Sequence, residues 1–451
     1  MINFAAIVNV RNLPLLSPYG LAMIVFYAIA ALLFFIPTAL ISAELASVFT
    51  EEGGLFTWVN RAIGQKTAFF CEWVGFITTV TALTTTMVCL VTSMALTLNP
   101  TLCQNKILIC STVICGVWTA TVLASKGTNF ASKIVSVASV MGTILPIFIL
   151  FLLGIYWICS GKPIAMDLSP GTICPDFKNF SNISFLAGIM FAFAGIEMSA
   201  YYVKDVKNPR RTYPLAIFCS AALILLVSLL GSLLIALVVP REDLILSAGV
   251  MQAITAVLEV VHGKGLAPLF GFLIVTGGIA YVFAWIAGPV RGLYAVRHTG
   301  LLPPFLGKVD DNGMPIAILY YQAVMVTILA VLFLLVPSVS LCFWIINVSA
   351  AVLILMLYAC LFASGIILRY KMPDGNRAYK IPGGNFGMIL LGTAGLLNVI
   401  FCMVISFFIP SEMRGAGMSQ STFAWLVFLA TALMGSPPFL FIAMSKPHWK
   451  R

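Results

Sequence analysis

Charge is scarce in this chain. Only 9% of its 451 residues are Asp, Glu, Lys or Arg, and no polar block is long enough to form a separate soluble domain. Histidine is scarcer still. His262, His298 and His448 all fall in loops or near a terminus, and no HExxH, GxSxG or Walker pattern occurs. The usual nucleophile, metal and phosphate-binding constellations are therefore missing. A membrane-embedded enzyme is the disfavoured class, and no catalytic residue, metal or cofactor is expected. The 11 cysteines include no CxxC pair and no metal-ligand spacing. Whether Cys103, Cys159 and Cys174 pair stays open. No repeated filter sequence or ring of like residues marks an ion channel. The first apolar run lacks the basic flank and small-residue cleavage pattern of a signal peptide.

What is present is apolar. The composition is 61% hydrophobic and the mean hydropathy is +1.06, which predicts an integral membrane protein. Apolar runs recur along the whole length, so residues 1–451 are expected to form one transmembrane domain. The net charge of +10 does not point to nucleic acid, because the basic residues sit in short loops between spans. The bilayer is the expected partner.

About twelve spans can be drawn. Met1 to Leu13 is too short to cross roughly 30 Å of hydrocarbon at 1.5 Å per residue and reads as half a span. Tyr19 to Val48 is a second span, broken by Pro37. Glu51 to Asn60 alternates polar and aromatic residues, as a segment lying among lipid headgroups would. Span three (68–98) is rich in threonine; spans four (107–124) and five (132–159, with Pro146) follow. Span six leads into the basic run from Lys204 to Arg211, and span seven reaches Val239. After a short non-spanning helix near 253–261, span eight reads GGIAYVFAWIAGPVRG from Gly277 to Gly292. Its glycines and Pro289 make it the second irregular span, with Tyr281 and Trp285 on one face at i,i+4. Spans nine to twelve cover about 316–336, 339–368, 388–409 and 423–444.

The stretch Phe185–Pro214, FLAGIMFAFAGIEMSAYYVKDVKNPRRTYP, carries the strongest functional signal. Ala194-Gly195-Ile196-Glu197 sets a helix-weakening residue and a carboxylate at membrane depth, where a charge costs roughly 2.5–3.5 kcal/mol. Irregular backbone at that depth is tolerated only inside protein or beside a wet cavity. A broken helix facing a substrate site, as in secondary transporters, is the reading that accounts for it. Packing alone is the alternative for Glu197.

The residues then resemble a known family. FFIPTALISAELASVFTEEGGLFTWVNRAIG (Phe34–Gly64), GIEMSAYYVKDVKNPRRTYPLAI (Gly195–Ile217), LSAGVMQ (Leu246–Gln252), WIAGPVRGLY (Trp285–Tyr294) and YKIPGG (Tyr379–Gly384) are similar, in order, to the bacterial glutamate/γ-aminobutyrate antiporters of the amino acid–polyamine–organocation superfamily. The resemblance implies an all-α membrane protein with the LeuT-type fold of five plus five inverted spans and two more. It also implies exchange of a small-molecule amino acid. Three departures are visible. The family's first half-helix would precede Met1, so the first helix is expected to be truncated. Tyr281 stands where glutamate-type members carry a carboxylate. Only Ser445 to Arg451 follows the last span, so the family's tail plug is not inferred from the resemblance.

Site residues follow from both lines of reasoning. The backbone of Phe193, Ala194, Gly195 and Ile196 is expected to bind substrate, with Phe193 as a cap. Trp285 resembles the family's substrate-lining tryptophan and can stack on a cationic amine. Tyr281 and Tyr358 are expected beside it, each with ordinary packing as the alternative. Arg11 can fork a carboxylate or snorkel to headgroups. Glu197, a carboxylic acid at membrane depth, is the candidate for proton coupling. Exchange of an amino acid for another or for its decarboxylated amine is the leading function, with proton-coupled symport on the same scaffold as the alternative.

With span one leaving the cytoplasm, 17 of the 25 basic residues fall on the inner side and 7 on the outer, with Arg291 inside span eight. This positive-inside bias predicts a multi-pass inner-membrane protein with both termini cytoplasmic. A single cysteine placed in the loop between Lys371 and Arg377 of a cysteine-free variant should resist impermeant maleimide in sealed cells. Ready labelling there would reverse the orientation.

Overall fold

A computed structural model describes residues 2–8, 10–49, 53–98, 102, 105–126, 128–175, 186, 188–190, 192–206, 208–244, 249–310, 313–335, 339–373, 377–409, 418–446 and 449. Among these residues every regular element is helical, and nine helices are long and apolar enough to cross a membrane. The molecule is a multi-pass membrane protein. Helices suit this sequence because in hydrocarbon each backbone N–H and C=O must be satisfied within its own segment. Numbered as in the sequence, the nine are span two (Ala22–Val48), three (Gln65–Ala95), four (Lys106–Ala124), five (Lys133–Cys159), seven (Arg211–Val238), eight (Lys264–Thr299), ten (Trp344–Lys371), eleven (Gly384–Ile405) and twelve (Gln420–Met444). Span nine is a 20-residue apolar helix, Ile316–Leu335. Leu433, Ile107 and Phe386, all more than 70% exposed, belong to the apolar outer surface that such helices turn to lipid.

Three sequence expectations need correction. Span two is not broken at Pro37: the helix widens into a π turn at Ala31–Phe35 and runs on as Ile36–Val48. The missing proline N–H leaves the Leu33 carbonyl without its usual helical donor. The Asn398 amide of span eleven approaches that carbonyl at 3.5 Å. Span five repeats the device, with a π turn at Val140–Ile144 ahead of Pro146. Span eight, expected to be irregular, is one unbroken helix over Ala267–Ala295 despite Pro289. Its Gly277 serves close packing, since a methyl group there would collide with the Gly142 carbonyl of span five. Two helices thus cross backbone to backbone, as small residues permit in membranes. Finally, the aromatic segment after span two does not turn its apolar face to lipid. It forms a helix, Leu55–Ala62, whose Leu55, Phe56, Trp58 and Val59 side chains are buried in the core.

Span three keeps its threonines inside. Thr78, Thr79, Thr81, Thr84 and Thr85 each bond a carbonyl three or four residues back, which satisfies the hydroxyl without a partner helix. Cys159 and Cys174 are free thiols, while Cys103 lies outside the described residues.

One end of the bundle is fastened by a buried carboxylate. Glu44, near the end of span two, pairs with Arg369 of span ten and at 2.9 Å with Arg377 Nε, and its second oxygen accepts from the Ile381 N–H at 2.8 Å. Arg369 also donates to Asn385, and Arg377 donates to the Met372 and Leu368 carbonyls. Burial, and then the nearby Glu44 charge, push the Tyr379 phenol above its ordinary value.

The Gly142–Gly277 crossing gives a stability test. Gly277→Val should lower the thermal midpoint of the detergent-solubilised protein, as overpacking costs about 1–3 kcal/mol. Gly265→Val, where a methyl group meets nothing within 4 Å, should not. Equal midpoints would remove the close crossing from the fold's requirements.

Candidate functional site

The site is built where two short, irregular segments meet spans eight and ten. The first helix, Ile2–Ile7, ends after two turns, and the chain resumes as a 3-10 segment at Val10–Leu15. Opposite it, the helical turn that carries the Phe193 N–H to the Ile189 and Met190 carbonyls stops at Gly195. Gly195 has φ +119°, a conformation open to glycine but strained for other residues, and a Cβ there would press the Trp285 ring at 3.1 Å. Beyond it the chain runs as a 3-10 segment, Ile196–Asp205, starting with the Met198 N–H on the Gly195 carbonyl. Ten residues is long for this geometry, which is usually limited to about 3–4. Side chains from other spans hold it in place.

Those side chains are the ones singled out in the sequence. Tyr358 of span ten, fully buried, accepts the Gly195 N–H at 2.7 Å and donates its hydroxyl to Glu197 Oε2, also at 2.7 Å. The N–H freed by the break is thus occupied by a tyrosine, and Glu197, two residues on, shares that same hydroxyl. Trp285 of span eight donates its indole N–H to the Ala6 carbonyl at 2.7 Å, which satisfies an end of the first short helix. The Tyr281 ring lies 6.0 Å from Trp285, as the i,i+4 spacing requires. Phe193 stacks on Phe35 of span two at 4.9 Å and leans on Tyr27 at 5.6 Å. Ala194 and Ile196 are buried at the break. Arg11 falls in the Val10–Leu15 segment, but its side chain lies outside the described residues.

Two small cavities open here. One, of about 10 Å³, lies among Ala6, Asn12, Thr78, Ala194, Tyr281 and Trp285. The other, of about 20 Å³, lies among Asn12, Leu16, Tyr27, Phe193 and Ser228. Asn12 and Ala192 line both. The arrangement brings Phe193, Ala194, Tyr281 and Trp285 to cavity walls, and sets Tyr358 and Glu197 just behind the break. Backbone ends of two interrupted helices face one another there, so a carbonyl end can attract an ammonium and an N-terminal end a carboxylate.

A family model described as amino acid permease matches residues 4–433. The chain belongs to the amino acid permease family. This permease is 35% identical over 412 residues to an uncharacterized transporter of Legionella pneumophila, covering 91% of this chain and 89% of that one. It is 28% identical over 445 residues to a glutamate/gamma-aminobutyrate antiporter of Lactococcus lactis, covering 96% and 87%. It is also 22% identical over 427 residues to a probable agmatine/putrescine antiporter of the same species, covering 92% and 88%. The family is one of transporters with the LeuT-like fold, in agreement with the resemblance seen in the sequence motifs.

Sequence reasoning missed several groups of this permease. Glu72 of span three accepts from the Tyr201 hydroxyl at 3.1 Å and is fully buried, and Glu44 anchors the ion-pair cluster. Both are carboxylates inside apolar runs, and the rule that flagged Glu197 applies to them equally. Asn12 and Tyr27 carried no such signal.

Tyr358 bonds both the Gly195 N–H and the Glu197 carboxyl, two buried groups at the break. Tyr358→Phe should therefore lower the thermal midpoint, since each unsatisfied buried group costs about 1–3 kcal/mol. Tyr320→Phe, at a 40% exposed ring, is the control. No difference between the two variants would mean that the break is held by other contacts.

Proposed function

We propose that this permease is an antiporter that exchanges an amino acid for another amino acid or its decarboxylated amine. The observation that carries the reading is the pair of interrupted helices, ended at Ile7 and Gly195 and bridged by Trp285 and Tyr358, around the cavities at Asn12. The antiporter names of the Lactococcus relatives support it. In this reading residues 1–451 form one transporter domain of five plus five inverted spans and two more, twelve in all. It lies in an inner membrane with both termini cytoplasmic. The substrate's charged ends bind the backbone at Ala194, Gly195 and Ile196, a carboxylate taking the Gly195 N–H from the Tyr358 hydroxyl that holds it here; Trp285 and Tyr281 line its path, Phe193 caps it, and Arg11 offers a carboxylate contact.

Proton-coupled symport is the second reading, favoured by the carboxyl of Glu197 held against Tyr358 behind the break. Under either reading Glu197 is the proton-carrying group, and exchange falls as pH rises and its carboxyl loses the proton.

Proteoliposome counterflow, screened against amino acids and their amines, tests the function. Exchange requires substrate inside, whereas symport requires only a pH gradient. Trp285→Ala, normally inserted, should lower uptake by roughly tenfold or more, equivalent to about 1.4 kcal/mol of binding. Tyr281→Glu should move preference away from acidic substrates. Parent-like transport by both variants would put the site elsewhere.

A further inference from the structure

Glu72 has no part in the function outlined above, yet it is the carboxylate most completely enclosed beside the broken helix. It lies 1% exposed in span three, and the Tyr201 hydroxyl reaches its oxygens at 3.1 and 3.4 Å. Span eight makes room for it: a methyl group on Gly292 would collide with Glu72 Oε2. Neither Glu72 nor Glu197 takes part in the ion pairs found among the described residues, which involve Glu44 and Glu259.

The two carboxylates are tied to the same irregular segment by matched contacts of opposite sense. Near the start of Ile196–Asp205, Glu197 accepts from a tyrosine of span ten. One turn on, Tyr201 of the segment donates to a glutamate of span three. Glu197 and Tyr201 stand four residues apart on this one buried segment, so the two carboxylates share its low-dielectric surroundings. Two carboxylates sharing a low-dielectric site do not ionise independently, and protons leave such a pair in coupled steps.

We propose that Glu72 is a second proton-binding group of the transport cycle, coupled to Glu197 through the 3-10 segment that carries Tyr201. The proposal rests on the transport reading above and adds a site to it. The proton simply changes places: a carboxylic acid O–H on one glutamate is lost as a carboxylate on the other gains it. Glu72 lies toward the Gly53–Leu55 turn, against which Tyr201 packs, so the pair extends from the break toward that end of the bundle. The other titratable groups on this side are Tyr201 and Glu197 of the 3-10 segment and Cys71, the chain neighbour of Glu72, which in turn meets Cys360 of span ten. The helix Leu55–Ala62 presents the backbone of Phe56 to it.

The test compares the parent, Glu72→Gln, Glu72→Asp, Tyr201→Phe and Glu197→Gln in proteoliposomes, each normalised to inserted protein. Counterflow by the parent establishes transport independently; if the parent exchanges nothing, the functional reading fails first. Given exchange, Glu72→Gln removes a neighbouring negative charge. The pH at which exchange falls by half should then move about one unit toward acid, while Glu72→Asp restores the parent profile. Infrared spectra of the substrate-free protein, acid minus alkaline, should show a carboxylic-acid carbonyl band lost in Glu72→Gln and a separate one lost in Glu197→Gln. A parent-like profile and an intact band pattern in Glu72→Gln would overturn the proposal. If Glu72→Gln does not insert, Tyr201→Phe decides: it should shift the profile and the Glu72 band, and an unmoved band would overturn the proposal equally.

Discussion

A backbone group freed inside hydrocarbon has to find a partner from elsewhere in the chain, and much of this molecule is arranged around that requirement. The Gly195 N–H finds Tyr358, the Ala6 carbonyl finds Trp285, and the Leu33 carbonyl left bare by Pro37 is met by Asn398. Each partner comes from a different span. Interrupted helices therefore knit spans ten, eight and eleven around the site as a condition of being interrupted at all. The same side chains that make the breaks tolerable also line or back the cavities, so stability and recognition draw on one set of residues.

Acidic groups are rationed among the spans, and three of them fall into two kinds of surroundings. Glu44 is held by two guanidinium groups and a backbone N–H, an arrangement that fixes a charge. Glu197 and Glu72 are each met by a tyrosine hydroxyl, an arrangement that is compatible with a carboxylic acid gaining or losing a proton. The contrast separates an anchor from groups suited to exchange protons, with no appeal to position in the sequence.

Much of the architecture was legible in advance. Apolar run lengths matched nine membrane-capable helices, and the break at Gly195 followed from a glycine beside a carboxylate. Proline was the misleading signal. At Pro37 and Pro289 the helices continue, and at Pro37 a π turn with an outside donor absorbs the lost hydrogen bond. Span eight's glycines looked like weak points, yet Gly277 is a contact surface for span five. Glu72 escaped notice because seven residues from the helix start is about 10 Å of rise, a depth at which headgroup region and interior cannot be told apart. What buries it, Tyr201 and Gly292, lies far along the chain. The aromatic helix Leu55–Ala62 has an interfacial pattern, and only the tertiary fold reveals that its apolar face meets protein.

The contacts of Glu44 also bear on how the protein is made. Its partner Arg369 lies 325 positions later, so span two must enter the bilayer long before either guanidinium has left the ribosome. The Ala6–Trp285 bond, across 279 positions, has the same history. Through most of biosynthesis the amino-terminal spans carry a carboxylate and a helix end that the nascent chain cannot yet satisfy. Span eight closes the helix end, and span ten with the loop that follows it closes the carboxylate, so the amino-terminal spans are completed only by segments made much later.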